Sequence, residues 1–107
     1  MPSPVIPVPK GFSFATASAA FKYTTGRDDL ALIVSDSPAA AAGVFTQNLF
    51  QAAPVTVSKA QLAASGGHAR AILVNAGQAN ACTRAAGIAD CRETVSLVAK
   101  ATDLSPE

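Results

Sequence analysis

The chain has no tryptophan, one tyrosine, one histidine and two cysteines, and only 14% of its 107 residues are charged. One histidine and two cysteines give too few ligands for a tetrahedral zinc centre. The thiols, Cys82 and Cys91, read as two buried cysteines in a reducing compartment, the usual place for free cysteine. A disulfide or redox pair is the alternative. Charge is scarce against the usual quarter or so of a globular domain, which suggests that something else covers part of the surface. The net charge of +1 comes from scattered Lys and Arg with no basic stripe, so nucleic acid and anionic membrane are excluded as expected partners. No strongly apolar run approaches the length of a transmembrane helix. The opening MPSPVIPVPKGF lacks a cationic region before a long apolar one and is broken by prolines, so it is no signal peptide. Residues 1–10 read as an extended proline-rich arm.

What is present is apolar: 50% of the chain is hydrophobic, enough for one domain with its own core. From Gly11 to Lys22, Phe12 and Phe14 alternate at strand period. YTTGRDD then reads as a turn. Leu30 to Val34 (LALIV) is almost wholly apolar, as in a strand buried on both faces. Asp36-Ser37-Pro38 carries turn chemistry and predicts a hairpin into a second strand, Ala39 to Thr46. Ser58 is placed to N-cap a short helix that Gly66-Gly67 ends. His68 stands at the entrance of a strand from Ala69 to Asn75, as a structural or solvated histidine. Ile88, Cys91, Val95, Val98 and Ala99 share one face of a helix from about Ile88 to Thr102, expected to pack on a sheet. Asp90 and Glu93 near its start and Lys100 near its end suit the helix dipole. Strands with interspersed helices give an α+β or layered α/β architecture.

Residues 73–83, LVNAGQANACT, set two asparagines, a glutamine, a glycine and a cysteine directly after a strand. Asn75, Gln78 and Asn80 have the groups to bridge backbone at a strand-to-helix crossing, and Gly77 permits a positive φ. The first reading is that these amides tie the turn together. The functional reading is that Asn75 and Asn80 line or buttress a substrate pocket. Thr46 likewise reads first as a strand hydroxyl satisfying a neighbour, and only second as a substrate contact.

GFSFATASAAFK with RDDLALIVSD, then AAGVFTQNLFQAAPV, then ARAILVNAGQANACT with GIAD, occur in that order and together resemble one family. It is the bifunctional ornithine acetyltransferase/glutamate N-acetyltransferase family, and the likeness to its amino-terminal part runs from about Gly11 to the end. It implies part of a layered αββα sandwich, with 11–107 the leading portion of one acetyltransferase domain. Members are made as a precursor that cuts itself before a threonine. That new amino-terminal threonine takes an acetyl group from N-acetylornithine and passes it to glutamate, with its own α-amine as base and oxyanion donors at the tetrahedral intermediate. The resemblance implies no metal and no external cofactor, with acetyl-coenzyme A as a second donor in some members. It also implies a threonine-led downstream chain as partner, a hetero-oligomer of two chain types, and a cytoplasmic setting.

The family's threonine-glycine oxyanion pair, cleavage segment and nucleophile would all lie downstream of this chain, so the resemblance assigns it no catalytic residue. Ala15-Thr16 and Ala101-Thr102 offer alanine-threonine bonds, but Thr16 falls within a strand near the start. Thr102 falls at a helix end, followed by Asp-Leu-Ser-Pro instead of an apolar strand. Arg84 stands where members commonly have glycine and makes the turn bulkier. The isolated chain is therefore expected to be inactive, with apolar sheet or helix surface exposed. Two rival readings remain: a standalone, non-catalytic binding module that keeps the first half of this fold, and a self-cleaving amidohydrolase or aminopeptidase of similar fold, against which the VNAGQANACT and GVFT strings argue.

Overall fold

The structure, a computed structural model, describes residues 4–21 and 26–106. Five elements follow one another: β1 (Phe12–Ala17), β2 (Leu30–Ala40), α1 (Ala53–Ala64), β3 (His68–Asn75) and α2 (Arg84–Thr102). The strands form one antiparallel sheet in the order β1-β2-β3, and the helices pack against each other. This is an α+β arrangement, as the residue pattern predicts.

β1 is shorter than expected, ending at Ala17; the last residue of the expected strand, Lys22, and the first three residues of the YTTGRDD turn lie outside the described residues. The expected hairpin at Asp36-Ser37-Pro38 does not form. β2 instead runs through these residues to Ala40, pairing Val34 with Ala71 and Ala39 with Ala69. The four residues between stand opposite Arg70 alone, a bulge that gives Pro38 a place where it owes the ladder no hydrogen bond. Arg70 closes the bulge by donating from Nε to the Ser35 carbonyl (2.9 Å) and from Nη2 to the Asp36 carbonyl (3.1 Å). Ser35 Oγ donates to the Ser37 carbonyl at 2.7 Å. Of the strand expected over Ala39 to Thr46, only Ala39 and Ala40 are strand, as the end of β2, and Ala41 to Thr46 is irregular loop.

α1 begins at Ala53, six residues before the start that a Ser58 cap implies, so Ser58 is not its cap. Ala52 precedes it and Pro54 occupies the first turn, where a missing N–H costs nothing. Its end is as expected: Gly66 and Gly67 take φ of 63° and 80°, and their N–H groups donate to the Ala63 and Leu62 carbonyls. α2 starts at Arg84, one turn earlier than Ile88, and turns the expected face inward, but against α1 and not onto the sheet as expected. Ile88, Cys91, Val95 and Val98 are half-buried and Ala99 is buried. The buried apolar residues Ala53, Val57 and Ala99 belong to the two helices.

The sheet is apolar on both faces. Cross-strand partners share a face, so Phe14, Ile33 and Ile72 lie together on one side, beside Thr16, Ala31 and Val74. Phe14 (52%), Ile72 (57%) and Val74 (51%) are exposed there. The opposite face, with Leu30, Leu32, Val34, Ala71 and Leu73, is half-buried. The chain as a whole exposes 8266 Å², against about 5,500 Å² for a folded monomer of this mass. Its radius of gyration is 15.0 Å, where about 13 Å is usual for this length.

Candidate functional site

β3 delivers the chain at Asn75 into the turn that leads to α2. Asn75 Nδ2 donates to the Gln78 carbonyl at 2.8 Å, and Gly77 takes φ of 98°. Asn80, Cys82 and Arg84 then adopt φ of 51°, 58° and 56°. Asparagine tolerates the left-handed region, but cysteine and arginine enter it at a cost of order 1 kcal/mol each. Asn80 supplies the compensation. Its Nδ2 donates to the Gly87 carbonyl at 2.8 Å, and its Oδ1 accepts from Thr83 Oγ1 at 2.5 Å. Its backbone carbonyl accepts from the Ala53 N–H at 3.2 Å, so the turn also holds the start of α1.

Gly87 completes this clasp. It is buried in the first turns of α2, and a Cβ there would land inside Thr83 Oγ1 and Cβ and against Asn80 Oδ1. Thr83 and Gly87 belong to the NACT and GIAD strings of the resemblance, which gave neither a role of its own. The available signal was a glycine inside a helix, which costs ~1 kcal/mol unless packing requires it.

Beside the clasp lies an open hollow of about 370 Å³ whose lining includes Leu49, Phe50, Ala53, Cys82, Arg84 and Ile88. Thr83 also lines it, so Asn80 stands one residue behind the wall, while Asn75 takes no part. The loop in front is shaped by its own polar groups. Thr46 Oγ1 accepts from the Asn48 N–H (3.1 Å), Asn48 Oδ1 from the Phe50 N–H (2.9 Å), and Gln51 Nε2 donates to the Thr46 carbonyl (3.1 Å). Thr46 is thus a loop hydroxyl and not the strand hydroxyl expected.

The other singled-out residues lie elsewhere. His68 opens β3 and is exposed. Thr16 Oγ1 donates to Asp28 Oδ2 at 2.6 Å, and Thr102 Oγ1 to the Val98 carbonyl at 2.7 Å, so both hydroxyls are tied into local structure. Cys82 and Cys91 are both free, but the expectation of two buried thiols fails for Cys82, which the left-handed turn leaves exposed. Cys91 is half-buried on α2, and desolvation raises its thiol above the ordinary 9.0. Asp29, unremarked in the sequence, accepts from the Ala19 N–H (2.7 Å) and the Phe21 N–H (2.9 Å). The Ala19 bond leads in holding its carboxyl below the ordinary 3.8, against a smaller opposing effect of burial. Among the described residues no group of three or more His, Cys, Asp or Glu is placed to hold a metal ion, and no helix is long and apolar enough to cross a membrane.

The profile of the ArgJ family matches residues 13–107. The arginine biosynthesis bifunctional protein ArgJ of Nitratidesulfovibrio vulgaris is 60% identical over 93 residues, which are 87% of this chain and 23% of that protein. The crystal structure of arginine biosynthesis bifunctional protein ArgJ from Bacillus halodurans superposes with a TM-score of 0.83 at 36% identity, over 91% of this chain and 49% of that one. The ornithine acetyltransferase of Mycobacterium tuberculosis, solved in complex with ornithine, gives 0.81 at 45% identity, over 89% of this chain and 48% of that one. The chain thus spans about a quarter of the length of such relatives and about half of the solved chains.

Proposed function

From the premise that this chain belongs to the ArgJ family, we propose that it is the amino-terminal part of an acetyltransferase of cyclic arginine biosynthesis. In this reading residues 11–107 are the leading portion of one layered αββα domain, preceded by the arm 1–10. A downstream chain completes the domain and begins with the threonine nucleophile. That hydroxyl attacks the acetyl carbonyl of N-acetylornithine, and the threonine's own α-amine takes the proton and returns it to the departing ornithine amine. The amine of glutamate then attacks the acetyl-threonine ester and leaves as N-acetylglutamate, restoring the hydroxyl. The reaction calls for no metal or external cofactor, and acetyl-coenzyme A is a second donor for the same ester.

The residues here act as scaffold. The Asn80–Thr83–Gly87 clasp fixes where α2 begins, and α2 carries the chain towards the segment that would supply oxyanion donors. The observation that carries this reading is the exposed area: about half as much again as a finished domain, with Phe14, Ile72 and Val74 open on an apolar sheet face. A second layer stacked on that face is what a sandwich supplies. The solved chains are also about half the length of a relative, which fits a precursor cut once near its middle. The setting in this reading is the cytoplasm, with the enzyme a hetero-oligomer of two chain types.

The test is the intact mass of every polypeptide in a native preparation, followed by an acetyl-transfer assay of the isolated chain. A companion chain that begins with threonine, and no transfer by the 107 residues alone, are the expected results. A single species of this mass would replace the reading with a standalone binding module. Transfer by the isolated chain would overturn the placement of the nucleophile.

A further inference from the structure

We infer that the loop between β2 and α1, with Leu49 and Phe50 at its tip, is a docking surface for the polypeptide that follows this quarter in the relatives. It would be an interface separate from the open sheet face. The inference rests on the reading of the chain as the leading part of a longer protein.

Val44, Leu49 and Phe50 are 101%, 95% and 85% exposed. A mobile loop would carry such side chains without consequence, but this one is pre-shaped by the three hydrogen bonds that link Thr46, Asn48, Phe50 and Gln51. Ordered apolar anchors beside a concave wall are the geometry in which a few side chains dominate an interface, and their ordering cost is already met. The hollow behind them supplies that wall, through Ala53 and Ile88 from the two helices and Cys82 from the turn. Arg84 is the charged residue of its lining.

A small polar substrate does not fit this place. An amino acid brings an ammonium as well as a carboxylate, and the lining holds no acidic side chain to meet it. The occupant that fits is an apolar stretch of polypeptide with a carboxylate opposite Arg84. Roughly three-quarters of a relative's length lies outside the matched part, so such a stretch is available in the same protein. The clasp then has a second consequence: by fixing Cys82 to Arg84 it holds one wall of the interface in place.

The test is capture. The tagged 107-residue chain is co-expressed with the remainder of the Nitratidesulfovibrio relative, and the recovered companion is quantified. Wild type is expected to recover it. Leu49→Ala with Phe50→Ala is expected to lower recovery at least about tenfold, whereas Phe50→Leu and the exposed-arm control Val5→Ala retain it. Helical circular dichroism of the double variant is expected to match wild type, since both side chains stand in solvent. Wild-type recovery with an undiminished double variant would overturn the docking loop and leave the proposed function standing. No recovery by wild type would sink both. Self-association of the chain that the double variant abolishes would assign the loop to a second copy and overturn the inference.

Discussion

Gly87→Ala is the substitution on which two physical rules disagree in sign. Gly87 lies in a helix, where alanine is favoured over glycine by ~1 kcal/mol, so propensity alone forecasts a more stable protein. The clasp forecasts the opposite. The added Cβ collides with Thr83 Oγ1 and Cβ and with Asn80 Oδ1. Overpacking of this kind costs roughly 1–3 kcal/mol. Moving Asn80 away also gives up its bond to the Gly87 carbonyl and the one it accepts from Thr83, each worth roughly 1 kcal/mol. After the propensity gain, a net loss of about 3 kcal/mol remains. Urea denaturation followed by far-ultraviolet circular dichroism measures it. Ala86→Gly on the exposed side of α2 serves as the reference for propensity alone, with a loss of ~1 kcal/mol. In a double-mutant cycle, Gly87→Ala is expected to cost less once Asn80→Ala has already removed the bonds it breaks, with the collision against Thr83 remaining. A Gly87→Ala protein more stable than wild type, or one whose cost ignores Asn80, would refute the reasoning.

Three further outcomes are expected. Arg70→Ala removes two charge-assisted bonds that close the β2 bulge, costing about 2 kcal/mol, and hydrogen exchange should rise at Asp36–Ala40 with little change in β1. Asp29 has a depressed carboxyl, so its contribution to stability is present above the ordinary 3.8 and lost as pH falls through the lower folded value; Asp29→Ala should flatten that acid-side loss in a pH-dependent denaturation series. A thiol reagent at mildly alkaline pH should modify exposed Cys82 well before half-buried Cys91, whose thiol is raised by desolvation; mass spectrometry of a time course reads the order, and equal rates would contradict the burial.

The parts legible in the sequence were those with a strong period or an unambiguous stop. LALIV, the strand after Gly66-Gly67 and the inward face of α2 could be read because burial imposes their spacing. β2 was misread at Asp36-Ser37-Pro38 because a bulge and a hairpin use the same turn-forming residues, and only the distant Arg70 distinguishes them. The start of α1 was misplaced because its anchor is the Asn80 carbonyl, far along the chain, and not a local cap. Asn75 and Asn80 looked equivalent in the sequence. The structure separates them: Asn75 ties its own turn, whereas Asn80 joins the turn to both helices. Thr83 and Gly87, present in the NACT and GIAD strings, had no legible role because neither means anything without the other.

The bulge in β2 sets the phase of the strand. On its near side the even-numbered residues Leu32 and Val34 lie on the half-buried face; on its far side odd-numbered Ala39 does, through its partner Ala69. The two halves of β2 therefore keep separate alternation, joined by a segment whose length is not dictated by the ladder. A residue inserted or deleted among Asp36–Pro38 changes the size of the bulge and leaves both registers intact, whereas Ser35 is still held by Phe12 of β1. The same change within Leu30–Val34 would turn the side chains between it and the bulge to the wrong face. Length variation over this strand is confined by geometry to those three positions.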